Sequence, residues 1–197
     1  MSLSSRMVIV LTSVGLISGA LLSTVGILTK ERIALNKQLE IENAIITVVQ
    51  GTHTSEKLYE EKDLVVYGSK DENNQLIGFA VYASGTGFQD KIILMYGTNP
   101  SFTKIYRLTI LEQKETPGLG AKITDKDAFL QFWENKDSSK PLTLRKPAAR
   151  SPEELSPFEV NTITGATISS ESVLNTVRLS LEKLMSLKKE GKLGNEE

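Results

Sequence analysis

Residues 7–28 (MVIVLTSVGLISGALLSTVGIL) contain no charged side chain and lie between Arg6 and Lys30. A helix of this length rises about 33 Å, enough to cross a hydrocarbon core of about 30 Å. The run is longer than the apolar region of about 7–15 residues in a cleaved signal peptide, and it continues past the small residues 18–20. We therefore expect a retained single-span membrane anchor, with a cleaved signal peptide as the alternative.

One face of this span carries small residues. They recur every three or four positions, at Thr12, Gly15, Gly19, Ser23 and Gly26. The Gly15-x-x-x-Gly19 spacing allows a second helix to approach closely, which is one way in which helices associate in lipid. We expect this face to pack against a partner helix, with an ordinary small-residue content of a membrane span as the alternative.

Composition excludes several kinds of site. The chain has 197 residues, a net charge of −1 and no cysteine. Disulfides, zinc–thiolate sites, cysteine-ligated iron–sulfur clusters and cysteine nucleophiles are therefore excluded, and no basic patch indicates a nucleic-acid partner. The single histidine, His53, lies in a loop and is interpreted as a solvated side chain. No catalytic and no metal-binding residues are predicted.

An antiparallel sheet is predicted in the middle of the chain. Four runs rich in β-branched and aromatic residues cover 64–68, 76–84, 91–97 and 104–112. Turn-forming residues join them as two hairpins, and the alternating pattern of the last run indicates one covered face. The glycine-rich stretch SGTGFQD between the hairpins is interpreted as a plain turn.

Helical patterns lie on both sides of these strands. One covers 31–49 and ends before Gly51, and the last covers 170–189 with an apolar stripe. The stripe consists of Leu174, Val177, Leu181 and Leu184. A short helix is expected at 125–135, with core residues Ala128, Phe129, Phe132 and Trp133. The proline-rich residues 136–158 are expected to form a long connecting loop.

These patterns predict an α+β fold class, with a single N-terminal transmembrane helix followed by one domain with a mainly antiparallel sheet and flanking helices. The expected boundaries are a short N-terminal tail at 1–6, the anchor at 7–28, a membrane-proximal helix at 29–51, the domain at 52–188 and a flexible tail at 189–197.

The stretch TITGATISSES (162–172) leads directly into the last helical pattern. Thr167 is expected one or two residues before the helix, where free backbone N–H groups and the helix dipole favour a phosphate. Gly165 permits a tight turn of the backbone, and the small side chain of Ala166 leaves the approach to Thr167 open. The alternative is an ordinary capping segment, in which Ser169 or Ser170 serves as the N-cap.

A second motif, ETPGLGAK (115–122), follows the last predicted strand. Its Pro117-Gly118-Leu119-Gly120 segment is stiff and poor in side chains, which suits the presentation of backbone groups to a flat ring. The alternative is an ordinary connection between a strand and a helix. Neither motif has the glycine spacing of a dinucleotide-binding fold.

Together, the anchor, ETPGLGAK and TITGATISS resemble the FMN-binding G subunit of Rnf electron-transport complexes. The related C subunit of sodium-pumping NADH:quinone oxidoreductases (Nqr) has the same type of domain. The resemblance extends from the anchor to the terminal helix, and Thr-Gly-Ala-Thr in place of Ser-Gly-Ala-Thr favours the Rnf member. It implies that 52–188 is an FMN-binding domain.

The resemblance also implies the cofactor residues. FMN would be attached through its phosphate to the hydroxyl of Thr167. Thr164, Gly165 and Ala166 would shape the phosphate site, and the isoalloxazine ring would lie against Thr116, Pro117, Gly118, Leu119 and Gly120. Position 161 departs from the family pattern, because Asn161 stands where the attachment signal usually has Asp. That substitution is expected to affect the efficiency of attachment.

The implied function is electron transfer within an ion-translocating ferredoxin:NAD⁺ oxidoreductase, without an independent catalytic site. The partners would be membrane subunits, an iron–sulfur and flavin subunit, and a flavin transferase that uses FAD and Mg²⁺. The family places the domain outside the cytoplasmic membrane, whereas the charges that flank the span lean slightly towards a cytoplasmic domain. A stand-alone extracytoplasmic FMN carrier and a non-redox anchored scaffold are the alternatives.

Overall fold

The computed structural model describes residues 2–193. The chain divides into two compact units, Met1–Glu42 and Asn43–Glu197. Helix α1 runs without interruption from Leu3 to Val48, so the anchor expected at 7–28 and the helix expected at 29–51 form one helix, which ends three residues before residue 51. It has the length and composition of a membrane span, which fits a single-pass anchor near the N-terminus.

Two hydroxyl groups in the apolar part of α1 donate to backbone carbonyls inside the helix. Ser13 Oγ donates to the carbonyl of Ile9 at 2.8 Å, and Thr24 Oγ1 donates to the carbonyl of Ala20 at 2.8 Å. Such bonds hide a polar group from lipid, where an unpaired donor is costly. The span can therefore contain hydroxyl residues and still be compatible with a hydrocarbon environment.

Six antiparallel strands form the main sheet, in the order in which they occur along the chain. They are β1 (Thr54–Glu61), β2 (Leu64–Lys70), β3 (Leu76–Thr86), β4 (Lys91–Thr98), β5 (Lys104–Glu112) and β6 (Lys136–Asp137). The four predicted strands correspond to β2 to β5. The sequence did not predict β1, because this edge strand is mostly exposed and carries little apolar alternation.

The stretch 136–158 is more ordered than the predicted loop. It contains β6, strand β7 (Thr143–Arg145) and a 3-10 turn at Pro152–Glu154. Strand β7 pairs in parallel with β8 (Glu159–Asn161). Strand β8 ends two residues before Thr-Gly-Ala-Thr (164–167), so this small sheet fixes where the motif begins.

The expectation of a short helix at 125–135 is wrong. This range contains a turn followed by a 3-10 segment, Leu130–Trp133, and another 3-10 segment, Gly120–Thr124, precedes it. The Asp125 side chain accepts the N–H groups of residues 127 and 128, and its carbonyl accepts those of residues 129 and 130, so the chain closes into a turn. The core assignment is confirmed for the three aromatic residues, Phe129, Phe132 and Trp133, which are buried.

Helix α2 (Thr167–Lys189) covers one face of the sheet and begins three residues earlier than expected. All four residues of its predicted apolar stripe are buried. Tyr96 of β4 bonds to Ser180 of α2 across this core, with 2.8 Å between the hydroxyl oxygens. The predicted fold class, an N-terminal apolar helix followed by an antiparallel sheet and a C-terminal helix, is confirmed.

Candidate functional site

A pocket of about 310 Å³ lies where the first turn of α2 meets two loops. The loops are the β3–β4 turn and the segment after β5, so three separate parts of the chain build the site. The lining residues are Phe88, Glu115, Thr116, Leu119, Gly120 and residues 165–169. A larger groove of about 610 Å³ lies between the β1–β2 turn, the end of β3 and α2, but of the two motifs it includes only Ser172, the last residue of TITGATISSES.

The N-terminus of α2 has no side-chain cap. Ala166 is the N-cap residue, and no side chain accepts the N–H groups of Thr167, Ile168 or Ser169 among the described residues. The expectation that Ser169 or Ser170 caps the helix is wrong, because both lie inside it and are buried. The first turn therefore offers unpaired N–H groups at the positive end of the helix dipole.

Ser170 has a different role from the expected one. Its hydroxyl oxygen accepts the N–H of Ile163 at 3.0 Å and donates to the carbonyl of Ala166 at 3.1 Å. The N–H of Ala166 in turn donates to the carbonyl of Ile163 at 2.9 Å. These bonds hold the four residues before the helix as a closed turn.

Thr167 is the first residue of α2, rather than one or two residues before it. Its side chain is half-buried at the pocket wall, and its hydroxyl makes no hydrogen bond within residues 2–193. Thr164 is exposed and does not line the pocket. The motif thus presents one free hydroxyl beside free backbone N–H groups.

The two sequence motifs meet at this pocket. A Cβ atom on Gly165 would lie 3.4 Å from Cδ2 of Leu119, and Gly165 has a φ of +84°, which disfavours any side chain there. In the second motif the carbonyl of Thr116 accepts the N–H groups of Leu119 and Ala121, both at 3.1 Å. Pro117 and Gly118 are exposed and lie outside the pocket lining.

Three exposed apolar side chains line the pocket together with Thr167. Phe88, Ile168 and Leu119 are 61%, 56% and 48% exposed, and each comes from a different wall of the pocket. Exposed apolar side chains that converge on one concave site are typical of ligand pockets. Phe88 belongs to SGTGFQD, whose first three residues end β3 and whose last four form the turn, so the expectation of a plain turn holds only for residues 87–90. A single aromatic residue directly after Gly87, in an otherwise polar turn, was the signal that could have revealed it.

Glu115 is a second residue that the sequence did not single out for the site. Its side chain is buried, and it accepts hydrogen bonds from the β3–β4 turn and from Ser169 of α2. Nearby, Gln89 Nε2 donates to Thr116 Oγ1 at 2.8 Å. The first residue of ETPGLGAK therefore joins the walls of the pocket.

Asn161 lies at the end of β8, is buried and does not line the pocket. Its Oδ1 accepts the N–H groups of Ala149 at 2.8 Å and Thr162 at 3.0 Å, and its Nδ2 donates to the carbonyl of Ala149 at 3.0 Å. The amide thus fixes the loop before β8 to the start of the motif. In the described part of the chain, no cluster of His, Cys, Asp and Glu could hold a metal ion.

The pocket lies within a recognisable domain. Residues 87–182 match the family model of the FMN-binding domain. This segment begins in the β3–β4 turn, just before Phe88, and ends within α2, so it includes every residue that lines the pocket. The match supports an electron-transfer flavoprotein role with FMN as the cofactor.

Several curated proteins are similar in sequence, and all are G subunits of ion-translocating complexes. That of the proton-translocating ferredoxin:NAD(+) oxidoreductase complex of Clostridium ljungdahlii is 29% identical over 175 residues, which cover 88% of each chain. That of the ion-translocating oxidoreductase complex of Methanosarcina acetivorans is 28% identical, over 60% of this chain and 57% of that protein. That of the Na(+)-translocating ferredoxin:NAD(+) oxidoreductase complex of Acetobacterium woodii is 28% identical, over 66% and 59% of the two chains.

Among solved structures, NqrC of Shewanella oneidensis has the same fold. It superimposes with a TM-score of 0.53 and 22% identity, over 68% of this chain and 66% of that one. The chain therefore matches the family model of the FMN-binding domain at residues 87–182, and it is similar to the G subunits of ion-translocating ferredoxin:NAD(+) oxidoreductase complexes.

Proposed function

We propose that this chain is an electron-transfer subunit of an ion-translocating ferredoxin:NAD⁺ oxidoreductase and carries FMN covalently on Thr167. One observation carries the proposal. Thr167 places a free hydroxyl at the uncapped N-terminus of α2, beside a pocket with three exposed apolar side chains, inside an FMN-binding domain.

The phosphate would be held by the first turn of α2. Unpaired N–H groups and the positive end of a helix dipole stabilise an anion at this position. Gly165 and Ala166 leave the approach to Thr167 free of long side chains. Thr164 is exposed and precedes the first turn of α2, so it would form the outer side of the phosphate site.

Attachment requires an activated flavin. The Thr167 Oγ would form a bond to the flavin-side phosphorus of FAD, while the pyrophosphate bond breaks, AMP leaves and the hydroxyl proton is released. A threonine hydroxyl is a poor nucleophile without a base, and Thr167 has no hydrogen-bonded base within the described residues. We therefore propose that a separate flavin transferase catalyses this step.

The rest of the pocket would hold the ring system. Phe88, Leu119 and Ile168 would cover apolar surface, while Thr116 and Gly120 form the wall next to them. A volume of about 310 Å³ is at the low end for a ligand pocket, so part of the cofactor would stay accessible. When bound, FMN supplies reversible electron transfer, and partial exposure suits exchange with a partner protein.

Membership of a membrane complex is proposed from α1 and from the curated relatives, whose names describe them as components of such complexes. A Cβ on Gly15, Gly19 or Gly26 would meet no atom within 4 Å, so this face is open to a partner helix. We propose a single-pass location in the cytoplasmic membrane, with the domain outside, beside membrane subunits and an iron–sulfur and flavin subunit.

The test is in-gel flavin fluorescence of the denatured protein, expressed with a flavin transferase, for the wild type and for Thr167→Ala. We expect fluorescence in the wild type and none in Thr167→Ala. Thr164→Ala is the matched control, since it removes a neighbouring hydroxyl of the same motif and should keep the fluorescent band. A non-fluorescent wild type would favour the anchored scaffold, whereas a fluorescent chain that purifies from membranes without other subunits would favour a stand-alone FMN carrier.

A further inference from the structure

The carboxylate of Glu115 connects the three segments of the chain that form the walls of the pocket. Its Oε1 accepts the backbone N–H groups of Phe88 at 2.8 Å and Gln89 at 3.1 Å, in the β3–β4 turn. Its Oε2 accepts the hydroxyl of Ser169 at 2.6 Å, in the first turn of α2. Glu115 itself belongs to the loop after β5, so one side chain fixes three segments that are distant in sequence.

Two glycines leave room for this carboxylate. A Cβ atom on Gly120 would lie 2.7 Å from Glu115 Oε2 and 2.6 Å from Ser169 Oγ, and a Cβ atom on Gly87 would overlap Glu115 Oε1. Real Cβ atoms do not approach other atoms so closely, so neither glycine could carry a side chain without movement of the carboxylate. The site is therefore built around Glu115, and Gly120 of ETPGLGAK has this role in addition to lining the pocket.

The carboxylate is charged but has no cationic partner. All three of its hydrogen-bond partners are donors, which is the pattern of an ionised carboxylate. Glu115 is 5% exposed, and none of the ion pairs of the described residues includes it. Two N–H dipoles and the N-terminus of α2 stabilise its charge instead. A fixed negative charge is thus present in the wall of the pocket.

We propose that Glu115 is a positioning residue of the flavin site, which aligns the Phe88 turn with the first turn of α2 and lowers the midpoint potential of the flavin. This inference rests on the proposed function, since it concerns the same pocket. Reduction adds electron density to the ring, and a fixed anion in a partly desolvated pocket opposes that change. The same charge-assisted bonds hold the backbone of Phe88 in the wall of the pocket that Thr167 also lines.

The effect of the Glu115 charge on the midpoint potential is tested by potentiometric titration of the flavin-loaded, full-length protein. We expect Glu115→Gln to raise the midpoint potential and Glu115→Asp, which keeps the charge, to stay close to the wild type. Glu112→Gln is the matched control, because it removes an exposed carboxylate three residues earlier, where solvent screens the charge. A Glu115→Gln potential equal to that of the wild type would overturn the electrostatic part of the proposal.

The alignment is tested without flavin, by hydrogen–deuterium exchange in the full-length Thr167→Ala protein. Adding Glu115→Ala removes the acceptor of the Phe88 and Gln89 N–H groups, so exchange in residues 86–91 should become roughly ten-fold faster or more. Amides in the centre of β4 serve as the folding control and should not change. Equal exchange at residues 86–91 would overturn the positioning role. If the wild type takes up no flavin, the proposed function fails, and this exchange experiment still decides whether Glu115 aligns the turn.

Discussion

The side-chain amide of Asn161 pairs with the backbone of Ala149 in both directions, as acceptor at 2.8 Å and as donor at 3.0 Å. An amide can do both, whereas an ionised carboxylate at this position has no donor. Asn161 is 2% exposed, so no solvent replaces a lost bond. The residue that departs from the family pattern is therefore adapted to its own surroundings in this chain.

Asn161→Asp should accordingly destabilise the protein. The carbonyl of Ala149 would lose its donor and would face a carboxylate, and we expect a loss of about 1–3 kcal/mol in the free energy of unfolding. Urea unfolding followed by circular dichroism measures this loss. Asn73→Asp, the same change at an exposed turn position, is the control and should change stability by less than about 0.5 kcal/mol. Equal stability of the two variants would show that the Ala149 pairing contributes little.

Gly165 and Gly118 provide a matched pair of variants. Both have positive φ, +84° and +77°, but a Cβ on Gly165 would lie 3.4 Å from Leu119 whereas one on Gly118 would meet no atom within 4 Å. Substitution by Ala should cost about 1–2 kcal/mol of backbone strain in each. Only Gly165→Ala should also reduce the fraction of protein that carries flavin, measured by absorbance after denaturation. An equal reduction in both variants would argue against a specific role for the contact between the motifs.

We expect Phe88 to shield the bound flavin from solvent without contributing to the stability of the fold. Because its side chain is 61% exposed, Phe88→Ala should change the free energy of unfolding of the flavin-free protein by less than about 0.5 kcal/mol. In the flavin-loaded protein it should increase quenching of flavin fluorescence by iodide, since water and ions gain access to the ring. Leu179→Ala, an exposed position of α2 outside this pocket, is the control. Unchanged quenching in Phe88→Ala would place the ring elsewhere.

Because Tyr96 is fully buried, we expect the free energy of unfolding to depend on pH. Burial raises the pKa of its phenol, and the hydrogen bond between Tyr96 and Ser180 offsets only part of this effect. A raised pKa in the folded state means that the stabilisation is fully present below the unfolded pKa of about 10 and is lost as the pH rises above it. The free energy of unfolding should therefore fall more steeply above about pH 10 in the wild type than in Tyr96→Phe, in urea titrations at several pH values. Parallel curves for the two proteins would contradict this assignment, because the other tyrosines are common to both.

The sequence predicted those features that depend on residue patterns along one element. The apolar run of α1, strands β2 to β5 and the buried stripe of α2 follow from hydrophobic periodicity, which burial imposes directly. The sequence did not predict strand β1, because an exposed edge strand needs no apolar face. The segment after Asp125 was misjudged, because its side chain and carbonyl satisfy four N–H groups locally and thereby replace a helix with a turn.

The candidate site was only partly predictable, because it joins three segments. The sequence singled out Thr167 and the two motifs, but nothing along the chain shows that Gly165 approaches Leu119. Phe88 and Glu115 were missed for the same reason, since their roles arise from contacts across 27 and 54 positions. The start of α2 at Thr167 likewise depends on the turn that Ser170 closes, rather than on a capping side chain.

The most direct test of the account is tandem mass spectrometry of the tryptic peptide that spans residues 151–178, from protein made with a flavin transferase. The peptide contains Thr164, Thr167 and Ser169, so fragmentation can distinguish these hydroxyls. The account predicts an added mass of FMN less one water, located on Thr167. An unmodified peptide, or the flavin on another hydroxyl, would contradict the account.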